Sequence, residues 1–299
     1  MLGDIFRRLS QFDPLEDYEY VGFGSVWFSD FVLYHKMLGI RDMISIERAS
    51  GARERFEANR PFNIDIIFKD SNVALPSLDW TKRKIVWLDY DGILSTDMLH
   101  DVRIVGKNAR SGSVVAVSVQ CNQASEIEDA DDFSGGPTAI SRFVQRFGRE
   151  RVGQAITESD LYGWRFGKLC RELLVAEIEE ALSTRNASDG KQLKFNLISS
   201  INYQDDAKMT TIVGVIVEDA EQDKLVSCQF ERLDFLQGRN QPINIEVPKL
   251  TGRELKHIER QLPLVGNADV DLAGGIPSKD AKLFIEMYRY FPNFAIVEA

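Results

Sequence analysis

The chain has 299 residues, 44% of them hydrophobic, which is enough to bury the core of one large domain with a smaller addition. Acidic residues outnumber basic residues by 46 to 36, and the net charge of -10 disfavours extended, nonspecific binding to nucleic-acid backbones. The three cysteines form no CxxC pair and the three histidines lack metal-ligand spacing, so neither a disulfide framework nor a zinc site is expected.

The apolar segments are too short for a membrane protein or a secreted one. No stretch approaches the roughly 20 apolar residues that span a bilayer, and the N-terminal residues lack the apolar run of a signal peptide. We therefore expect a cytoplasmic protein with no membrane partner.

Five short apolar segments alternate with helical segments over the first 120 residues. Near-continuous apolarity at residues 85–88 and 114–117 is typical of strands that are covered on both faces. The alternation predicts a Rossmann-like α/β fold, with a mostly parallel sheet and helices on both faces. The predicted strands are residues 18–22, 43–46, 64–68, 84–88 and 113–119.

The chain changes character after the fifth strand. Residues 124–136 are acidic and lack periodicity, which predicts a mobile loop. Helices are predicted over 137–148 and about 159–185. An antiparallel hairpin of residues 193–203 and 208–218 then completes the sheet.

The C-terminal part is predicted to be a small α+β subdomain. It contains a strand at 224–230, an extended segment that ends at Pro248, and a helix from Thr251 to Leu262. The Thr-Gly-Arg-Glu opening of this helix is typical of a capping box. The predicted domains are residues 1–220 and 221–299.

The first predicted strand runs directly into a glycine turn. Gly22, Phe23, Gly24 and Ser25 follow it, and glycines at a strand-to-helix turn allow the backbone to approach a ligand closely. A tight turn without a ligand is the alternative. The second strand ends on Glu47, about 20 residues later, where a carboxylate accepts hydrogen bonds from ribose hydroxyls. A solvated glutamate at a strand end is the alternative for Glu47.

The third and fourth predicted strands also end on polar residues. Asp70 and Ser71 follow the third strand, and Asp89, Tyr90 and Asp91 follow the fourth. Ligands of open α/β sheets bind at the carboxyl ends of strands, where all these residues are expected to meet.

Residues 15–123 resemble a class I S-adenosylmethionine (SAM)-dependent methyltransferase. The resemblance implies SAM as cofactor. It places Gly22 and Gly24 in the glycine motif, Glu47 at the ribose, Asp70 with Ser71 at the adenine, and Asp89 at the end of the fourth strand. The predicted hairpin stands where that family has its reversed last strand.

The sequence also departs from this family's pattern. The family usually has an acid before the glycines and often a third glycine, whereas this chain has Tyr20 and Val21 first, with the bulky Phe23 and Trp27 after. A dinucleotide oxidoreductase is disfavoured because GxGxxG is incomplete.

The fourth strand end supplies the predicted catalytic residues. Methyl transfer needs placement of the acceptor and sometimes a base, and Asp89, Tyr90 and Asp91 stand where such groups would stand. Two acids spaced i, i+2 are also a pattern for a divalent cation, and a metal-dependent nuclease or phosphohydrolase is the third class of function considered. With no third ligand named, no metal site is predicted. Because Asp91 precedes Gly92, a turn after the strand is the structural alternative for that residue.

The leading functional hypothesis is a SAM-dependent methyltransferase whose acceptor is unknown. The alternative is a non-catalytic subunit of the same fold that binds a nucleoside or a protein partner, or forms a homo-oligomer, within a larger assembly. The chain as a whole is similar to uncharacterised bacterial methyltransferase-like proteins, some encoded near phage-defence genes. This likeness implies a role in antiviral defence.

Overall fold

The computed structural model describes residues 1–48, 50–128, 137–153, 155–204, 206–237, 241–264 and 269–291. The chain divides into two compact units, Leu2–Ile243 and a smaller unit that begins at Asn244. The sequence-based domain boundary after residue 220 stays a prediction.

Within the described residues, eight strands form one sheet in the order β3-β2-β1-β4-β5-β7-β6-β8. Strands β1 to β5 are parallel, and β7 pairs antiparallel with both β5 and β6. The predicted fold class and the final hairpin are confirmed. The strands are β1 (Glu19–Gly22), β2 (Asp42–Ile46), β3 (Asp65–Ile67), β4 (Lys84–Ile93), β5 (Ser113–Gln120), β6 (Leu193–Gln204), β7 (Lys208–Glu218) and β8 (Ile243–Ile245).

Helices follow most of the parallel strands, as the alternating pattern predicts. The helix after the glycine turn ends at Gly39, whose φ of 73° is the left-handed value that favours glycine at a helix end. The helices are α1 (Leu2–Arg8), α2 (Ser29–Leu38), α3 (Arg53–Asn59), α4 (Ser71–Ala74), α5 (Thr96–Asn108), α6 (Ser125–Glu128), α7 (Ala139–Phe147), α8 (Arg149–Val152), α9 (Gly163–Asp189), α10 (Gln222–Ser227), α11 (Gly252–Glu259) and α12 (Ser278–Met287).

The main core lies between the sheet and the pair of helices α5 and α9. Val115 and Val117 of β5 are fully buried and belong to the same cluster as Val102 of α5 and Ile178 of α9. Gly106 brings the two helices together, because a Cβ built on it would lie 2.9 Å from the Cβ of Ala181 in α9. Within the described part of the chain, no helix is both long and apolar enough to cross a membrane.

One predicted strand is wrong, and one predicted loop is helical at its start, while its mobility stays a prediction. The predicted strand at 224–230 is instead helix α10 and its continuation, because a short apolar run fits either periodicity and here leaves Val226 exposed while Cys228 is buried. The acidic loop predicted to be mobile begins with α6, where Glu126 is buried and its carbonyl accepts a hydrogen bond from Arg142 at 2.6 Å. Residues 129–136 of that predicted loop lie outside the described residues.

The capping box of the smaller unit is confirmed. The Glu254 amide donates to Thr251 Oγ1 at 3.3 Å, and the Thr251 amide donates to Glu254 Oε2 at 2.7 Å. The helix that it opens ends at Glu259, three residues earlier than predicted. It packs in a small core with Ile276 and Phe284.

The close approach of α5 and α9 predicts a stability effect. Gly106→Leu should lower the free energy of unfolding by about 1–3 kcal/mol, because the added side chain forces the helices apart by more than its better helix propensity offsets. Lys107→Leu on the exposed side of α5 is the matched control and should change stability little. Urea unfolding compares the two, and equal midpoints would show that the helices adjust without cost.

Candidate functional site

A cleft of about 1030 Å³ lies at the carboxyl ends of β1 to β4. It forms there because β1 lies between β2 and β4, so that the chain order reverses across β1 and the following segments separate to either side. Its lining comes from these strand ends and from the first two turns of α2 and α5 and the start of α4. The lining residues are Phe23, Gly24, Ser25, Ser29, Asp30, Leu33, Tyr34, Ile46, Glu47, Arg48, Lys69, Asp70, Ser71, Asn72, Trp87, Asp89, Tyr90, Asp91, Gly92, Ser95, Asp97, Met98 and Asp101.

A second cavity, of about 390 Å³, lies at the opposite edge of the strands beside Arg83. The Arg83 guanidinium donates to the Ser111 carbonyl at 2.8 Å, to Asp13 at 2.6 Å and to Glu221 at 2.8 Å. With these bonds, Arg83 links separate segments of the chain, which is a structural role. The candidate site is therefore the cleft at the carboxyl edge.

The glycine turn is fastened to the end of β2. The Gly24 amide donates to Ser45 Oγ at 3.0 Å and to Glu47 Oε1 at 2.9 Å, and the Ser45 hydroxyl donates to the same carboxylate oxygen at 2.6 Å. A Cβ on Gly24 would lie 2.5 Å from the Phe28 ring and 2.7 Å from Ser45 Oγ. Only glycine fits this position without a shift of its neighbours, and the contact fixes Glu47 at the cleft wall.

Burial dominates the electrostatics of Glu47. The side chain is only 6% exposed, and this burial raises the pKa of its carboxyl, with the Ser45 hydroxyl and the Gly24 amide partly opposing the change. Glu47 is thus a desolvated carboxylate held in one orientation, which suits hydrogen-bond donors of a bound ligand.

The fourth strand carries an irregularity at the cleft. Its pairing with β5 is regular as far as Asp89 and shifts before Ile93. A regular strand would turn alternate residues away, but with this bulge Asp89, Tyr90, Asp91 and Gly92 all line the cleft. The turn that was the alternative for Asp91 and Gly92 does not form, because the strand continues through both residues.

Asp101 of α5 anchors the other end of the cleft. It is 2% exposed, and its Oδ2 accepts hydrogen bonds from the hydroxyls of Ser71 and of Tyr90, the latter at 2.7 Å. Its Oδ1 is buried and has no hydrogen-bond partner within the described structure. Burial raises the pKa of the Asp101 carboxyl. The sequence analysis did not single out this residue, because Asp101 meets Ser71 only through tertiary packing.

Asp30 of α2 is a second lining residue that the sequence analysis missed. Its carboxylate accepts a hydrogen bond from the Tyr20 hydroxyl, and burial raises its pKa to about 6. The hint in the sequence was Tyr20, a hydrogen-bonding residue where the resembling family has an acid.

Most predicted site residues meet in this cleft. Phe23, Gly24, Ser25, Glu47, Asp70, Ser71, Asp89, Tyr90 and Asp91 line it. Gly22 does not: it is buried, and a Cβ there would lie 2.8 Å from the Tyr20 hydroxyl. Asp70 is exposed, and its Oδ1 pairs with Arg48 Nε at 3.2 Å. Among the described residues, no group of three or more His, Cys, Asp or Glu is arranged to hold a metal ion.

Comparison with protein families adds to this geometry. The model of the family described as "Putative O-methyltransferase" matches residues 1–299, the whole chain. The chain belongs to this family. The description of the family agrees with the resemblance to methyltransferases that was based on the glycine turn and Glu47. A search of curated protein sequences gives no match.

Solved structures that match part of the chain include several methyltransferases. Trm1 from Pyrococcus horikoshii, solved with S-adenosyl-L-methionine, has 10% identity and a TM-score of 0.45, and the match covers 75% of this chain and 57% of that one. An rRNA methylase from Streptococcus thermophilus has 10% identity and a TM-score of 0.38, and the match covers 72% of this chain and 95% of that one. The fibrillarin pre-rRNA processing protein of Methanococcus jannaschii has 11% identity and a TM-score of 0.38, and the match covers 68% of each chain. At such values the likeness does not extend to ligand or substrate.

The buried charge of Glu47 predicts a pH-dependent stability effect. Because its pKa in the folded state is raised, ionisation of Glu47 costs stability at neutral pH, and this cost vanishes when the carboxyl is protonated in both states at low pH. Glu47→Gln keeps an acceptor for Gly24 and Ser45, so it should raise the melting temperature at pH 7, and the gain should shrink towards zero near pH 4. Thermal unfolding across this range measures it.

Asp91→Asn is the control for this prediction, because Asp91 is an exposed acid of the same cleft and keeps its hydration. A gain of the same size in both variants would mean that the net charge of the cleft, and not the burial of Glu47, sets the effect.

Proposed function

We propose that the protein is a SAM-dependent methyltransferase that binds its cofactor in the carboxyl-edge cleft and transfers the methyl group to an oxygen of an acceptor. The observation that carries the proposal is the contact of the Gly24 amide with Glu47, which fixes a desolvated carboxylate beside a close backbone turn at the point where the strand order reverses. The whole-chain family match supports the reaction class.

The residues of the cleft fit the adenosine part of SAM. Glu47 presents a carboxylate of the kind that binds two ribose hydroxyls. Gly24 lets the turn pack against Phe28 and Ser45 without a clash, and this packing holds the backbone turn at the wall of the cleft. At the other end, the unpartnered Oδ1 of Asp101 lacks a hydrogen-bond donor. A purine amino group is a donor of the required kind.

The reacting part of the cleft lies at the end of β4. When bound, SAM supplies a methyl group on a positively charged sulfur, and the protein has to orient the acceptor and receive its proton. Asp89 and Asp91 are exposed carboxylates at this position, and the Tyr90 hydroxyl donates a hydrogen bond to Asp101. We therefore assign proton acceptance to a carboxylate, and we give Tyr90 the role of holding Asp101. The role in phage defence stays a prediction.

Calorimetric titration tests the cofactor proposal. SAM and its demethylated product, S-adenosylhomocysteine, should each bind with one site per chain. Glu47→Ala should weaken both at least tenfold, because hydrogen bonds to a charged group contribute about 1.5–3 kcal/mol. Asp65→Ala, an exposed acid of β3 away from the cleft, is the control. The proposal fails if neither compound binds, and binding without turnover on any hydroxyl-bearing acceptor would favour the non-catalytic subunit.

The two aspartates of β4 should contribute unequally to the rate. Asp89→Asn keeps shape and hydrogen bonding but removes the charge, so it should lower the rate of methyl transfer about 10²-fold if Asp89 is the base. Asp91→Asn should cost much less. Single-turnover transfer from isotopically labelled SAM to the acceptor measures both. Equal losses that Mg²⁺ or Mn²⁺ restores would point to metal-dependent chemistry instead.

A further inference from the structure

Tyr20 stands in β1, two residues before Gly22, where the resembling family usually has an acid. Its side chain is fully buried and its hydroxyl donates to the carboxylate of Asp30, which reaches the cleft from the first turn of α2. The acid that β1 does contain, Glu19, is at the other end of the strand and is bound to the buried Lys84. A carboxylate is thus present beside the glycine turn, but a helix supplies it and a tyrosine holds it.

The packing around Tyr20 fixes this arrangement. Its ring lies edge to face against Phe31 at 4.9 Å and against Tyr34 at 5.1 Å, both on α2. Tyr34 also contacts Trp87 of β4, with ring centroids 6.3 Å apart. Because these rings are tightly packed, the orientation of the Tyr20 side chain is fixed. Its hydroxyl therefore holds Asp30 at the cleft wall.

The groups that face Asp30 come from four elements and are acidic or neutral. They are Tyr20 of β1, Tyr34 of α2, Glu47 at the end of β2, and Asp89 of β4, whose charge adds to the effect of burial on the Asp30 pKa. The basic residues among the described lining are Arg48 and Lys69, and Arg48 is paired with Asp70. The α2 end of the cleft therefore has a negative potential.

We propose that Asp30, held by Tyr20 and accompanied by Asp89, forms a subsite for the sulfonium of SAM and makes the cleft bind the cofactor more tightly than the neutral product. This inference rests on the proposed function. It gives Tyr20 a positioning role and explains why the usual acid of β1 is dispensable in this chain.

The charge change of the reaction gives this subsite its effect. Methyl transfer breaks the bond between sulfur and the methyl carbon, and the electron pair stays on sulfur, which becomes a neutral thioether. The methyl carbon bonds to the acceptor oxygen, whose proton passes to a base or to water. Attraction between Asp30 and the cofactor is then lost, and the product is released more readily than the cofactor is.

The test is the ratio of the dissociation constant of S-adenosylhomocysteine to that of SAM, measured by calorimetry between pH 5 and pH 7.5. Asp30 is ionised above its pKa of about 6, so the ratio should rise about tenfold with pH, with its midpoint near 6. Groups that contact parts shared by both ligands, Glu47 included, cancel in this ratio. A wild-type ratio that does not change with pH would overturn the proposal.

Three variants separate charge from structure. Asp30→Asn should give a low ratio at every pH, and a rise like that of the wild type would also overturn the proposal. Tyr20→Phe removes a donor to the carboxylate, so the midpoint should move to higher pH, which a purely structural role of Tyr20 would not cause. Asp97→Asn, an exposed acid of the same cleft, should behave like the wild type. If neither ligand binds the wild type at any pH, the proposed function itself fails.

Discussion

The position of β1 between β2 and β4 is the constraint on which the candidate site depends. It brings Gly22 opposite both Ser45 and Trp87, so the turn that follows β1 has the end of one strand on each side. The Gly24 amide then donates a hydrogen bond to Glu47 and so links the turn to the end of β2. The other walls of the cleft are the segments that follow β1 to β4, and side chains of helices α2 and α5 also line it.

The cleft is built from carboxylates at a cost to stability. Burial raises the pKa of Asp30, of Glu47 and of Asp101, which means that each is less stable as an anion in the fold than in water. Hydroxyls and backbone amides offset part of this cost without supplying a positive charge. Such arrangements are found at functional sites, where a ligand provides the missing partner.

Two features of the chain shape the cleft beside the glycine turn. Where the resembling family usually has an acid, β1 has Tyr20, whose hydroxyl donates to the carboxylate of Asp30. The strand that ends the site carries a bulge, which turns consecutive residues from Asp89 to Gly92 towards the cleft instead of alternate ones.

The sequence by itself determined the fold class, the parallel strands and the final hairpin, because hydrophobic periodicity and turn composition are local signals. It predicted the wrong structure at residues 224–230, where a short apolar run fits a helix equally well, and it left a turn open as the alternative at Asp91, where the strand continues. Only the tertiary structure decided that Asp30 and Asp101 line the cleft. Their partners, Tyr20 and Ser71, lie 10 and 30 residues away in the chain, and contacts between separate elements are set by packing, which no local pattern encodes.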